Sequence, residues 1–192
     1  MRGSIRRGSE ANLVVFLVDA SGSMAARDRL SAVTGAIMSM LTDAYQRRDK
    51  VAVITIHGSE ATVVLPPTRS ITIAARRLAD VKTGGRTPLA AGLDKAYELI
   101  TREHYREPGR RAILMCLSDG RANGKGGLAA AEAAARRIAR RGLAGSVVID
   151  CERQGRVRLG LASRLAAYLH APYVRLDELS ADNLGGVIKT LS

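Results

Sequence analysis

The feature that most constrains the fold is the run Leu13–Val18 (LVVFLV), which is apolar at every position. A strand with one face in water alternates apolar and polar residues. One that is apolar at both parities needs cover on both faces, as an inner strand of a parallel sheet has. Further strand-like runs are read at Val51–Ile56, Ala61–Leu65, Ala112–Leu117, Ser146–Ile149 and Tyr173–Leu176. Segments of helical period separate them, at Arg29–Arg47, Ile71–Ala79, Pro88–His104, Gly127–Arg141, Leu159–His170 and Ala181–Thr190. This alternation predicts an α/β fold: a doubly wound, mainly parallel six-stranded sheet with helices on both faces. Only His57–Glu60 joins the second and third strands, too short for a crossover, so one edge strand is expected to be antiparallel. Leu30, Val33, Ile37, Met40 and Leu41 give the first helix a core-facing stripe. Pro88 is expected in the first turn of its helix with Thr87 as the N-cap, and Asp182 in the opening turn of the last.

The 192 residues, 46% of them hydrophobic, suffice for one domain with a substantial core. The reading is a basic tail over 1–10 followed by a single domain over 11–192. No stretch approaches the ~20 apolar residues of a membrane helix, and no apolar run precedes Leu13, so a cytoplasmic protein with no membrane partner is expected. Cys116 and Cys151 lie in apolar runs without CxxC spacing, which argues for buried reduced thiols rather than a zinc site; a disulfide is conceivable only if their strands are neighbours.

The net charge of +12 is carried largely by arginine, in the pairs at 6–7, 47–48, 110–111, 136–137 and 140–141. Such a surface attracts polyanions. With no tryptophan, one phenylalanine and five tyrosines, stacking platforms for single-stranded nucleic acid are missing, and no helix-turn-helix, zinc-finger or RNA-recognition signature occurs. A solvated basic surface that keeps the protein soluble is the leading reading, and among partners an acidic protein segment is favoured.

Three segments carry oxygen donors: Asp19-Ala-Ser21-Gly-Ser23, then Gly84-Gly85-Arg86-Thr87-Pro88, then Ser118-Asp119-Gly120. The first and third follow strands expected to be adjacent where the sheet order reverses, and the second can fold over the gap. Two carboxylates (Asp19, Asp119), three hydroxyls (Ser21, Ser23, Thr87) and water suit Mg2+, with Mn2+ or Ca2+ as substitutes, although calcium prefers more carboxylate oxygens. Neutral hydroxyl ligands leave the ion electrophilic, so an acidic side chain of a partner can complete its shell. Taken singly, the serines and Thr87 also read as helix caps and Asp119-Gly120 as a turn. Their joint order after two apolar strands favours the ion site.

Asp19-x-Ser21-x-Ser23, Thr87 and Asp119 resemble the metal-ion-dependent adhesion site of von Willebrand factor A domains. Val18–Asp28 (VDASGSMAARD), Asp43–Val53 (DAYQRRDKVAV), Leu65–Pro67 and Thr83–Leu93 (TGGRTPLAAGL) are further similar to the carboxy-terminal domain of the D-type subunit of magnesium chelatase and of related cobaltochelatase subunits. The resemblance implies a sheet wrapped by helices and a metal held by Asp19, Ser21, Ser23, Thr87 and Asp119. It also implies a non-catalytic role joining an ATPase-ring subunit to the large tetrapyrrole-binding subunit, with an acidic linker as a docking partner. No GxxxxGK[ST] phosphate loop is present, so ATP hydrolysis by this chain is not expected.

Enzyme readings are weaker. A haloacid-dehalogenase-type phosphatase needs a second aspartate where Ser21 stands, and a serine hydrolase needs a Gly-x-Ser-x-Gly elbow that does not occur. His57, His104 and His170 show no tie to a nucleophile, and Asp150 and Glu152 read as a strand-end turn. The second reading keeps the adhesion fold but directs it to RNA or to another protein assembly.

Overall fold

The structure is a computed structural model describing residues 12–22, 34–35, 37–39, 41–43, 46–79, 81, 83–152 and 159–178. The expected tail over 1–10, Ser23, Leu30, Val33, Met40 and the helix at Ala181–Thr190 with Asp182 lie outside the described residues. The elements are β1 (Leu13–Asp19), β2 (Lys50–His57), β3 (Glu60–Thr68), α1 (Ile71–Ala79), α2 (Leu89–Arg106), β4 (Ala112–Ser118), α3 (Gly127–Arg141), β5 (Ala144–Asp150), α4 (Leu161–Leu169) and β6 (Tyr173–Arg175). A 3-10 turn follows at Leu176–Glu178. The residues described as helical between 34 and 46 lie within the first predicted helix.

The strands form one six-stranded sheet in the order β3-β2-β1-β4-β5-β6. All neighbours pair parallel except β2 and β3, which the short turn forces antiparallel. All seven residues of β1 are buried, as its unbroken apolar run requires. Alternate β1 residues enter opposite layers. Leu13, Val15 and Leu17 pack with α2, α3 and α4, while Val14, Phe16 and Val18 pack with Ile37, Leu41 and Ala74 of α1. Helices thus cover both faces.

Three boundaries differ from the sequence reading for identifiable reasons. β3 continues past Leu65 through Pro66 and Pro67 to Thr68. It is an edge strand with irregular register against Val51–Ile54, where missing N–H groups are tolerated. α2 starts at Leu89 with Pro88 as its N-cap, so Pro88 stands one position earlier than expected and Thr87 does not hold the capping position. β6 ends at Arg175 because Leu176 opens the 3-10 turn.

Both cysteines are free and buried. Cys116 belongs to the layer beneath α2, α3 and α4, and Cys151 to the opposite layer, so the sheet separates them. Burial pushes the Cys116 thiol up to about 12.

Candidate metal centre

β1 and β4 are adjacent and parallel, so Asp19 and Ser118, the last residue of each, emerge at the same edge, where the strand order reverses. Asp19 is fully buried. Its Oδ1 accepts the Ser21 N–H at 2.9 Å, and its Oδ2 accepts the Ser118 hydroxyl at 3.0 Å. The Ser118 Oγ in turn accepts the Gly120 N–H at 3.1 Å. One hydroxyl thereby ties the first carboxylate to the turn that carries the second. In that turn Asp119, also buried, accepts the Arg121 N–H on Oδ1 at 3.0 Å and pairs with Arg121 Nε through Oδ2 at 3.4 Å.

The Thr87 segment closes the ring from the other side. Gly84 N–H donates to the Ala20 carbonyl at 2.8 Å, and Gly22 N–H donates to the Gly85 carbonyl at 3.1 Å. Thr87 N–H donates to Asn123 Oδ1 at 2.6 Å, and Asn123 N–H returns a bond to the Thr87 carbonyl at 3.3 Å. The first donor-bearing segment is therefore hydrogen-bonded to both of the others, and Asn123, three residues past the third, ties the Thr87 segment to that loop. Close packing reinforces it at two glycines. Gly85, at φ +76°, would place a Cβ 2.9 Å from Gly58 Cα in the β2–β3 turn, and Gly120, at φ +77°, would place one 2.3 Å from the backbone at Leu161 and Ala162. No other residue type suits either position.

Of the five residues predicted from sequence, the structure buries Asp19, Ser21, Thr87 and Asp119 at this edge; Ser23 lies outside the described residues. Because Pro88 takes the cap of α2, helix capping does not explain Thr87. Two further residues take part that the sequence pattern does not single out: Asn123, and Ser118 beyond its membership of the third segment. Nothing local marks Asn123, since its partner lies 36 residues away. The glycine-rich stretch from Gly120 to Gly127 is fastened rather than slack: Asn123 is bonded to Thr87, and a Cβ on Gly124 would lie 2.7 Å from Pro88 Cα. Asp150 and Glu152 have structural roles. Asp150 accepts the Glu152 N–H at 2.7 Å, and Glu152 accepts the Leu159 N–H at 2.8 Å ahead of α4.

Burial raises the Asp19 carboxyl above its usual range, and the nearby Asp119 charge pushes it further, against hydrogen bonds from Ser21 and Ser118. Among the described residues, Arg121 is the cation in ion-pair contact with either carboxylate, and its side chain is 51% exposed. The two buried acids are thus accompanied, among the described residues, by one half-solvated cation, which pairs with Asp119. Among the described residues no group of three His, Cys, Asp or Glu side chains assembles, so what the loops bring together is carboxylate and hydroxyl oxygen. That donor chemistry fits a hard divalent cation.

The von Willebrand factor type A domain profile matches residues 14–121. An uncharacterised protein of Mycobacterium tuberculosis is 56% identical over 185 residues, 96% of this chain and 29% of that protein. The magnesium-chelatase 60 kDa subunit of Cereibacter sphaeroides is 39% identical over 190 residues, 95% of this chain and 33% of the subunit. The chain thus spans about a third of the length of these relatives. The crystal structure of manganese-loaded Plasmodium vivax TRAP protein superposes with a TM-score of 0.74 at 18% identity, covering 95% of this chain and 73% of TRAP, a likeness of fold. The sheet order and the profile match agree: the chain belongs to the von Willebrand factor type A domain family.

Proposed function

We propose that the chain is a non-catalytic, Mg2+-dependent docking module. Asp19, Ser21, Ser23, Thr87 and Asp119 would hold the ion, with Mn2+ or Ca2+ as substitutes, and an acidic residue of a partner would complete its shell. The observation carrying this reading is the set of hydrogen bonds among the Asp19, Thr87 and Ser118 loops, which hold two buried carboxylates at the switch point of the sheet. The cation supplies Lewis acidity toward a carboxylate. The chain's own part is to fix the donors: Ser118 orients Asp19, and Asn123 holds the Thr87 segment against the Asp119 turn.

The likeness to chelatase subunits supports assembly with an ATPase-ring subunit and a large tetrapyrrole-binding subunit, or with an acidic linker. The +12 net charge suits an acidic counterpart, and contacts of this kind weaken with added salt. That charge also favours the second reading, in which the adhesion fold serves RNA or another assembly. Among the described residues no helix is long and apolar enough to cross a membrane.

The test is capture of an acidic chelatase-type partner by wild type and by Asp19→Ala, each with Mg2+ and with EDTA. Capture by wild type in Mg2+ alone is expected. Capture that survives both chelation and the substitution removes the metal from the mechanism, and enrichment of nucleic acid promotes the second reading.

A further inference from the structure

Beside the proposed metal centre lies a pocket of about 210 Å3 between α2, α3 and α4. Its floor is Leu89, Leu161 and Leu165 with the Gly120 backbone. Two of these adjoin the centre directly, since Gly120 follows Asp119 and Leu89 stands two residues after Thr87. The pocket is therefore lined by residues within two positions of two of the site's three loops. Its lip is open at Leu128, which is 46% exposed.

The rim has a definite charge. Glu132 accepts a bond from Arg136 Nε at 2.9 Å, and Arg136 also lies over the Tyr168 ring at 4.9 Å. Arg164 donates to the Tyr168 hydroxyl at 3.2 Å. Arg136, the Tyr168 hydroxyl and the charge of Arg164 all act on Glu132, and with two arginines to one carboxylate among the described residues this part of the rim is net positive. A segment with negative charge is favoured there.

We propose that this pocket receives an apolar side chain, leucine- or phenylalanine-sized, from the same acidic partner segment whose carboxylate reaches the metal centre. The module thus recognises an acid and an apolar anchor a few residues apart. This rests on the docking reading above and adds the chemistry that selects one acidic segment over another, since a carboxylate alone is common to many surfaces. Burying one such side chain in the pocket contributes roughly ten- to hundredfold in affinity.

The experiment selects peptides from a random displayed library on the full chain in Mg2+, then measures the enriched peptide and its anchor-to-alanine derivative by fluorescence polarisation. The proteins are wild type, Leu128→Gln, Ala129→Phe and Asp19→Ala, with circular dichroism confirming that each is folded. Both pocket substitutions are on exposed lining positions. The proposal predicts enrichment of Asp or Glu with a nearby Leu, Ile or Phe. It further predicts about tenfold or greater preference of wild type for the intact peptide, and loss of most of that preference in both pocket variants with Mg2+ dependence retained. Peptides with an acid, Mg2+ dependence and no apolar preference overturn the pocket while leaving the metal reading standing. Apolar peptides bound equally by wild type and Asp19→Ala, or with EDTA, overturn the paired recognition and the metal reading together.

Discussion

Ser118 holds the geometry of the centre at the scale of a single residue, because its one hydroxyl donates to Asp19 and accepts from the backbone of the Asp119 turn. Ser118→Ala leaves both partners without that bond in a buried place. The expected cost is about 1–3 kcal/mol by urea denaturation in EDTA, with Mg2+ affinity about 10–100-fold weaker by calorimetry. Ser118→Thr, which keeps the hydroxyl, should restore most of both. Gly120→Val is harsher, as it combines a positive φ with a Cβ 2.3 Å from the α4 backbone. It should lower stability by more than ~1 kcal/mol in the same denaturation assay. The carboxylates and hydroxyls of this centre are legible in sequence because Asp19-x-Ser21 follows an all-apolar strand without a break. Asn123 is not, because an isolated asparagine in a glycine-rich loop has the composition of any turn.

Among the elements, those with a strong period or a hard stop were the readable ones. Ile71–Ala79 and Gly127–Arg141 are helical over their predicted spans, and the four-residue link between the second and third strands dictated the hairpin. Where an edge strand absorbs two prolines, the breaker rule misleads, since the rule describes inner strands. The far edge of the sheet is tied by an ion cluster the sequence did not advertise. Glu107, the C-cap of α2, bonds both Lys50 at the start of β2 and Arg110 ahead of β4. Those bonds hold the Glu107 carboxyl at about 2, below its ordinary 4.5. A depressed acid contributes stability that is fully present above the unfolded value and is lost as pH falls through the folded one. The melting temperature of wild type should therefore exceed that of Glu107→Gln at pH 7. The gap should close between about pH 5 and pH 2, modestly because Glu107 is 36% exposed. A gap independent of pH would show that the cluster acts through packing rather than charge.

The molecule as a whole places its proposed recognition chemistry at one edge of the sheet, on loops braced by three helices of one layer, within a chain of net charge +12. Rigid strands fix the carboxylates, and the hydrogen bonds between the loops hold those loops together, so a cation would meet donors already arranged for it. The burial that raises the Asp19 carboxyl disfavours the ion-free anionic state, and a bound divalent charge relieves that cost. The most direct measurement is calorimetric titration of Mg2+ into metal-stripped protein, wild type beside Asp19→Ala and Asp119→Ala, with folding of each verified by circular dichroism. The account predicts one saturable site in wild type and none in either folded variant. An absence of binding by wild type, or equal binding by all three, would contradict it.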